Sequence, residues 1–236
     1  MALDTTYRTD LEESMDDFSM DNDGLITALD DLARINKFLG GNSVTIEGIE
    51  KLLKNYQKSE TITILDFGCG DGEMLRQVAD YGKRQNINFN LIGIDANAAT
   101  IRYAENNSKN YSNISYLAED IFLYDFSKIN IDIALITLTL HHFKDPEILN
   151  LMKVIFNLVR KGIVVNDLQR SKIAYRLFQA IIFVFRLEKM TANDGLISIL
   201  RGFKKPDLEK FSHQLDFKKY SITWKWAFRW QWIIWK

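Results

Sequence analysis

An apolar run over 62–67 ends in Asp66-Phe67 and passes at once into Gly68-Cys69-Gly70-Asp71-Gly72, and helix-forming residues begin at Glu73. No other stretch constrains the fold so narrowly. It has the outline of a buried β-strand, a tight turn of alternating glycines and a helix that opens onto the turn. Such a turn lets a ligand approach the backbone where any Cβ would collide.

Downstream, apolar strand-like runs at 89–95, 114–118, 131–137 and 162–167 alternate with helical patterns at 72–85, 98–107, 146–159 and 171–187. Pro146 is well placed near a helix start. This alternation predicts a parallel sheet covered by helices on both faces. The segment 190–203 contains glycine and has no assigned element, and 206–215 reads as a short helix. From 222 to 234 every even position is apolar: Ile222, Trp224, Trp226, Phe228, Trp230, Trp232 and Ile234. Period two over that length means strand, so two antiparallel strands with a turn near 227–230 are expected. The tryptophans read as a buried sheet face in preference to a nucleic-acid stacking platform. The expected fold is α/β: a Rossmann-like, doubly wound sheet of seven strands with a C-terminal antiparallel hairpin.

The first sixty residues look different. Leu11, Met15 and Phe18 suggest a short amphipathic helix. Ile26, Leu29, Leu32, Ala33, Ile35, Phe38 and Leu39 recur at helical spacing and stop at Gly40-Gly41. A second helix is expected from Thr45 to about Tyr56, with a junction at 57–60. This divides the chain into an N-terminal helical appendage or cap, 1–60, and a main domain, 61–236. Asp21-Asn22-Asp23-Gly24 resembles part of a calcium loop. Counting Gly24 as position six places Ser19 first and Asp30 twelfth, where such a loop needs Asp and Glu, so it reads as a turn.

A net charge of −1 gives no general attraction for nucleic acid or anionic membrane. The acidic start and mildly basic end read as solvated faces. Cys69, the single cysteine, excludes an intrachain disulfide and a cysteine-cluster metal site, and no metal is expected. The most apolar stretch, 181–185, lies in a segment interrupted by Arg176 and Gln179, too short for the ~20 residues of a span. With no signal-peptide pattern, a cytoplasmic protein is expected.

Ligands of open α/β sheets bind at the C-terminal ends of the strands. Asp95 ends the second strand, where a carboxylate can accept from both hydroxyls of a ribose. Asp120 follows the third, with Ala118 and Ile121 beside it, and can accept from the amine of an adenine. One adenosine accounts for both carboxylates and the glycine turn. A dinucleotide turn, G-x-G-x-x-G, would need glycine where Glu73 stands. Asp66, Asp71 and Glu73 disfavour a phosphate and suit a ligand bearing an ammonium and a sulfonium, as S-adenosylmethionine does.

Leu65-Asp66-Phe67-Gly68-Cys69-Gly70-Asp71-Gly72 resembles the first motif of class I S-adenosylmethionine-dependent methyltransferases. Gly93-Ile94-Asp95 resembles their second, and Ala118-Glu119-Asp120-Ile121 their adenine-contacting one. Leu140-His141-His142-Phe143 is common in the small-molecule branch. The resemblance spans 61–236. It implies that Gly68 and Gly70 let the methionine moiety lie against the backbone, that Asp66 helps hold its amino group, and that Asp95 binds the ribose and Asp120 the adenine. Cys69, Ala96, Ile121 and Thr137 are further candidates to contact the cofactor. S-adenosylhomocysteine would be the product. The acidic N-terminal helices and the runs 167–175 and 194–198 are also similar to bacterial methyltransferases encoded beside type III polyketide synthases, which act on phenolic or quinol-like compounds.

Methyl transfer to a phenol requires in-line approach and removal of a proton. His141 and His142, at the end of the fourth strand, have the side chain suited to that task near neutral pH. Asp167, Arg170, Tyr175 and Arg201 are further candidates to meet the acceptor. The expected function is methylation, at oxygen, of a small apolar or aromatic acceptor. A non-catalytic cofactor-binding or scaffold protein is one alternative. A nucleic-acid methyltransferase is disfavoured because Thr137-Leu138-Thr139-Leu140 stands where an Asn/Asp-Pro-Pro-aromatic segment is usual. Neither the acceptor nor the oligomeric state is legible.

Overall fold

A computed structural model describes residues 3–54 and 60–236. Seven strands form one sheet: β1 (Thr61–Phe67), β2 (Asn88–Asp95), β3 (Ile114–Ala118), β4 (Ile131–Thr137), β5 (Val159–Leu168), β6 (Tyr220–Lys225) and β7 (Arg229–Trp235). Their order is β3-β2-β1-β4-β5-β7-β6. The first five are parallel, and β7 runs antiparallel between β5 and β6. The order reverses between β1 and β4, so the glycine turn that follows β1 lies at the crevice where open sheets take ligands.

Both faces of the sheet are covered, which is why β4 is buried at every position from Ile131 to Ile136. One core joins Leu65, Phe67, Ile131 and Trp232 to Ile148 and Met152 of α5 (Asp145–Leu158). The other joins Ile62, Ile64 and Leu135 to Leu75 and Val78 of α3 (Glu73–Gln85), and to Ile49 of α2 (Gly41–Leu52). α2 also packs on β5 and β7, while α1 (Asp23–Phe38) contacts α2 and α7 (Lys189–Arg201). The N-terminal helices are thus built onto the sheet. The expected end of the second helix at Tyr56, and 57–59 of the expected junction, lie outside the described residues.

Several boundaries differ from expectation. The amphipathic helix expected around Leu11, Met15 and Phe18 is only a 3-10 turn, Ser14–Asp16, with Leu11 and Phe18 exposed. The backbone N–H groups of Ser14 and Met15 donate instead to the Asp194 carboxylate. Asn22 caps α1 by accepting from the Leu25 N–H, which accounts for the acidic turn at 21–24. α2 starts at Gly41, ahead of Thr45, because Gly40 adopts φ +69° and turns the chain there. The unassigned 190–203 segment is mostly α7. Its Gly195 admits the Phe178 ring of α6 (Lys172–Phe185), which an added Cβ would meet at 2.4 Å. The remaining helices are α4 (Ala98–Asn107) and α8 (Lys205–Gln214).

The terminal hairpin turns at 226–228 and pairs Ile222 with Trp232 and Trp224 with Trp230. Trp230 and Trp232 are buried, whereas Trp224 and Trp226 are largely exposed. The odd positions of β7 are buried too: Gln231 donates to the Val44 carbonyl of α2 and accepts from Lys51. Among the described residues, no helix is long and apolar enough to cross a membrane.

Candidate active site

The turn after β1 needs its glycines for different reasons. Gly68, Gly70 and Gly72 have φ of +70°, +53° and +77°, a region that side chains rarely adopt. An added Cβ at Gly68 would lie 2.4 Å from Thr139 Cγ2, and one at Gly72 would lie 2.0 Å from the Tyr116 hydroxyl. A Cβ at Gly70 would meet nothing within 4 Å, so that position leaves open space at the cavity lining. Asp95 ties the turn to β2: its Oδ2 accepts from the Gly70 N–H at 3.1 Å and its Oδ1 from the Asn97 N–H at 3.0 Å. Each oxygen keeps a lone pair with which to accept from a hydroxyl.

Asp66 is 1% exposed, yet its Oδ1 has no hydrogen-bond partner. Burial, reinforced by Asp95 and Asp71, pushes its carboxyl well above the usual range. A buried carboxylate facing a cavity with an unmet oxygen calls for a cationic donor, and the ammonium of S-adenosylmethionine fits it. Asp71 and Glu73 are a correction to the expected electrostatics. Arg76 Nη2 lies 2.9 Å from Asp71 and 3.0 Å from Glu73, and offsets their charge. Asp66 and Asp95 are therefore the carboxylates that favour a cationic ligand.

Asp120 Oδ1 accepts from the Phe122 N–H at 2.8 Å. With Ile121 and Phe122 it lines the cavity, where the Phe122 ring stands edge-on to Phe143 at 5.1 Å. Cys69, Ala96 and Thr137 line the same space. Burial raises the Cys69 thiol pKa well above its ordinary value. Thr137 Oγ1 lies 3.1 Å from Thr45 Oγ1 of α2. The cavity has a volume of about 700 Å³. Beyond the carboxylates its wall turns apolar, with Leu25 and Leu29 of α1, Leu177 and Ile181 of α6, and Trp226 and Phe228 at the hairpin turn.

Both histidines also line the cavity, and each has Nδ1 against a carboxylate. His141 Nδ1 is 2.7 Å from Asp167 Oδ1, and the His141 N–H donates to Asp167 Oδ2 at 3.2 Å. His142 Nδ1 is 2.6 Å from Asp16 Oδ1. Carboxylates only accept, so Nδ1 carries the proton and Nε2 is the basic end of each ring. Burial works to raise both carboxyl pKa values, but His141 holds Asp167 below the usual range, and His142 with Arg201 holds Asp16 well below it. His141 Nε2 faces Glu13 Oε1 at 3.7 Å, and both atoms are buried without a hydrogen-bond partner. Glu13, His141 and His142 bring donor atoms within 4.8 Å of one another, a set able to ligate a divalent transition metal. A cation is already built into this cluster: Arg201 Nη1 is 2.5 Å from Asp16 and 3.6 Å from Glu13.

Asp167, Arg170, Tyr175 and Arg201, expected to meet an acceptor, are placed differently. None is among the residues lining the cavity. Asp167 orients His141. Arg201 donates to the carbonyls of His141 and His142. Arg8 joins it, donating to the carbonyls of His141 at 2.8 Å and Phe143 at 2.7 Å. Arg170 is buried, donates to the carbonyls of Thr5 and Gly202, and pairs with Asp207 at 3.0 Å. It braces the N-terminal segment. On α6 the cavity wall is formed by Ala174, Leu177 and Phe178 rather than Tyr175. Glu13 and Asp16 were not anticipated. Their acidic surroundings read as a solvated face, and nothing local signals that they reach histidines more than a hundred residues away.

Residues 64–162 match the family described as a methyltransferase domain. No curated protein matches the sequence. Similar solved structures include the plantazolicin methyltransferase BpumL in complex with S-adenosylhomocysteine, at 18% identity and TM-score 0.63, covering 83% of this chain and 74% of that one. Magnesium protoporphyrin IX methyltransferase from Synechocystis PCC 6803 with bound S-adenosylmethionine aligns at 13% identity and TM-score 0.55, covering 86% and 81%. The CMeT domain of the citrinin polyketide synthase aligns at 15% identity and TM-score 0.55, covering 74% and 46%. At these identities the likeness establishes the fold. Residues 64–162 match a methyltransferase domain, and the sheet that contains them has the Rossmann-like fold that these methyltransferase structures share.

Proposed function

We propose that this chain methylates a small, apolar or aromatic acceptor of the phenol or quinol type, at oxygen. The observation that carries this reading is the His142–Asp16 pair, set in a cavity with carboxylates at one end and an apolar wall at the other. When bound, S-adenosylmethionine supplies a methyl carbon already activated by its sulfonium. Asp66 takes the amino group, the backbone of Gly68, Cys69 and Gly70 borders the methionine moiety, and Asp95 with Ala96 holds the ribose. Asp120, Ile121 and Phe122 frame the adenine, with Thr137 beside them. His142 accepts the acceptor's hydroxyl proton at Nε2, and Asp16 stabilises the imidazolium that results. The helices of the first sixty residues close the acceptor end, since α1 forms part of its wall. A cytoplasmic setting suits the free thiol of Cys69.

The test has two stages. Calorimetric titration with S-adenosylhomocysteine and with NAD decides the cofactor. A screen of phenols, quinols and aromatic polyketide-like compounds with label in the donor methyl then identifies the acceptor. O-methylated product supports the reading. Binding of NAD alone, label entering only DNA or RNA, or cofactor binding with no transfer to any acceptor overturns it.

A further inference from the structure

Arg229, the first residue of β7, is 3% exposed and lines the same cavity as Asp66 and His142. Its Nη2 donates to Asn36 Oδ1 of α1 at 2.6 Å, and among the described residues this neutral amide is its one side-chain partner. Nε and Nη1 are buried without a hydrogen-bond partner, which leaves three N–H donors unmet. The chain makes room for this group. A Cβ at Gly41, the first residue of α2, would lie 2.9 Å from the guanidinium carbon.

A buried, hydrogen-bond-poor cation is costly unless something pairs with it. Burial lowers its pKa to about 10 against the opposing pull of the buried Asp167 carboxylate, and the group stays charged at neutral pH. That carboxylate is hydrogen-bonded to His141 and makes no hydrogen bond to the guanidinium. The other charged groups lining the cavity are carboxylates and the two histidines, and Arg229 is its only arginine or lysine among the described residues. Asp66 and Asp95 serve the cofactor end, Asp16 is paired with Arg201, and Asp194 caps the N-terminal turn. None of them meets the free nitrogens of Arg229.

We propose that Arg229 anchors the acceptor by pairing with a carboxylate, so that the preferred acceptor is an aromatic hydroxy acid rather than a neutral phenol. This rests on the methyl-transfer reading above and narrows its substrate class. Two opposite charges then orient the two reactants: Asp66 grips the cationic donor, and Arg229 grips an anionic acceptor along the apolar wall. A charged, buried contact of this kind gives about ten-fold or more in affinity.

The test uses the full chain saturated with S-adenosylhomocysteine and titrates 3-hydroxy-2-naphthoate, its methyl ester and 2-naphthol by calorimetry. The acid should bind about ten-fold tighter than the ester or the naphthol. Arg229→Met should remove that preference and leave S-adenosylhomocysteine affinity intact. Arg229→Lys keeps the charge, and if Arg229→Met does not fold, the lysine variant should retain part of the preference. Equal response to acid and ester in the native protein, including no heat from either, overturns the proposal, as does a preference that survives in Arg229→Met. Failure of S-adenosylhomocysteine to bind would instead strike the underlying methyl-transfer reading.

Discussion

Asp16 Oδ1 lies 2.6 Å from His142 Nδ1, a contact that joins the acidic N-terminal segment to the end of β4 across 126 residues of sequence. It fixes the ring's tautomer and leaves Nε2 as the basic nitrogen at the cavity wall. The N-terminal segment is therefore part of the reacting machinery proposed here as well as part of the enclosure.

Asp16→Asn should lower turnover by at least about ten-fold, because a neutral amide does not stabilise the imidazolium. Affinity for S-adenosylhomocysteine should not change. Kinetics and calorimetry on the same preparation check this, and unaltered turnover would remove Asp16 from the mechanism.

Cofactor binding should be linked to protons through Asp66. Its raised carboxyl pKa means that the ligand-free protein is favoured by protonation there, a contribution fully present below the ordinary carboxylate value and lost as pH rises through the raised one. An ammonium ligand prefers the ionised form. Affinity should thus climb with pH up to the raised value, and binding below it should release a proton. Titrations in two buffers of different ionisation heat read that release. Asp66→Asn should bind weakly and with no such pH dependence.

Two glycines of one turn should separate stability from binding. Gly72→Ala forces a Cβ onto the Tyr116 hydroxyl, which is itself 2.7 Å from Ser108 Oγ, and should lower Tm by several degrees through about 1–3 kcal/mol of overpacking. Gly70→Ala has space and suffers only the left-handed backbone strain of about 1–2 kcal/mol. Its methyl group should chiefly weaken S-adenosylhomocysteine. Native cofactor affinity in Gly70→Ala would show that the ligand does not approach there.

Ile49 is fully buried in the core shared by α2 and β1. Ile49→Ala should cost about 2–5 kcal/mol and lower a single unfolding transition. Two separable transitions would mean that the N-terminal helices fold as an independent unit.

Much of this architecture was legible because it is written locally. Apolar runs mark strands covered on both faces, as 133–136 does for β4, and the alternation in 222–234 marks the hairpin. Carboxylates that follow strand ends, Asp95 and Asp120, land at the cavity because the topology puts every parallel strand's C-terminus on one edge. What failed was pairing. Charge type does not reveal partners, so Arg170 and Arg201 looked available for an acceptor although backbone carbonyls and carboxylates occupy them. Glu13 and Asp16 looked solvated for the same reason. The glycine-containing segment 190–203 carries no local sign of its helix, because the ring that Gly195 accommodates, Phe178, comes from the preceding helix. Arg76 is the exception that could have been read: three residues after Glu73 on a helix, it stands at ion-pair spacing.

Methyl transfer from labelled S-adenosylmethionine to a hydroxyaromatic acceptor, run side by side with the native protein and His142→Ala, decides whether His142 is the base. The native chain should give O-methylated product. The variant should lose about 100-fold or more in turnover, with S-adenosylhomocysteine affinity preserved. Equal turnover by the two proteins would contradict that role.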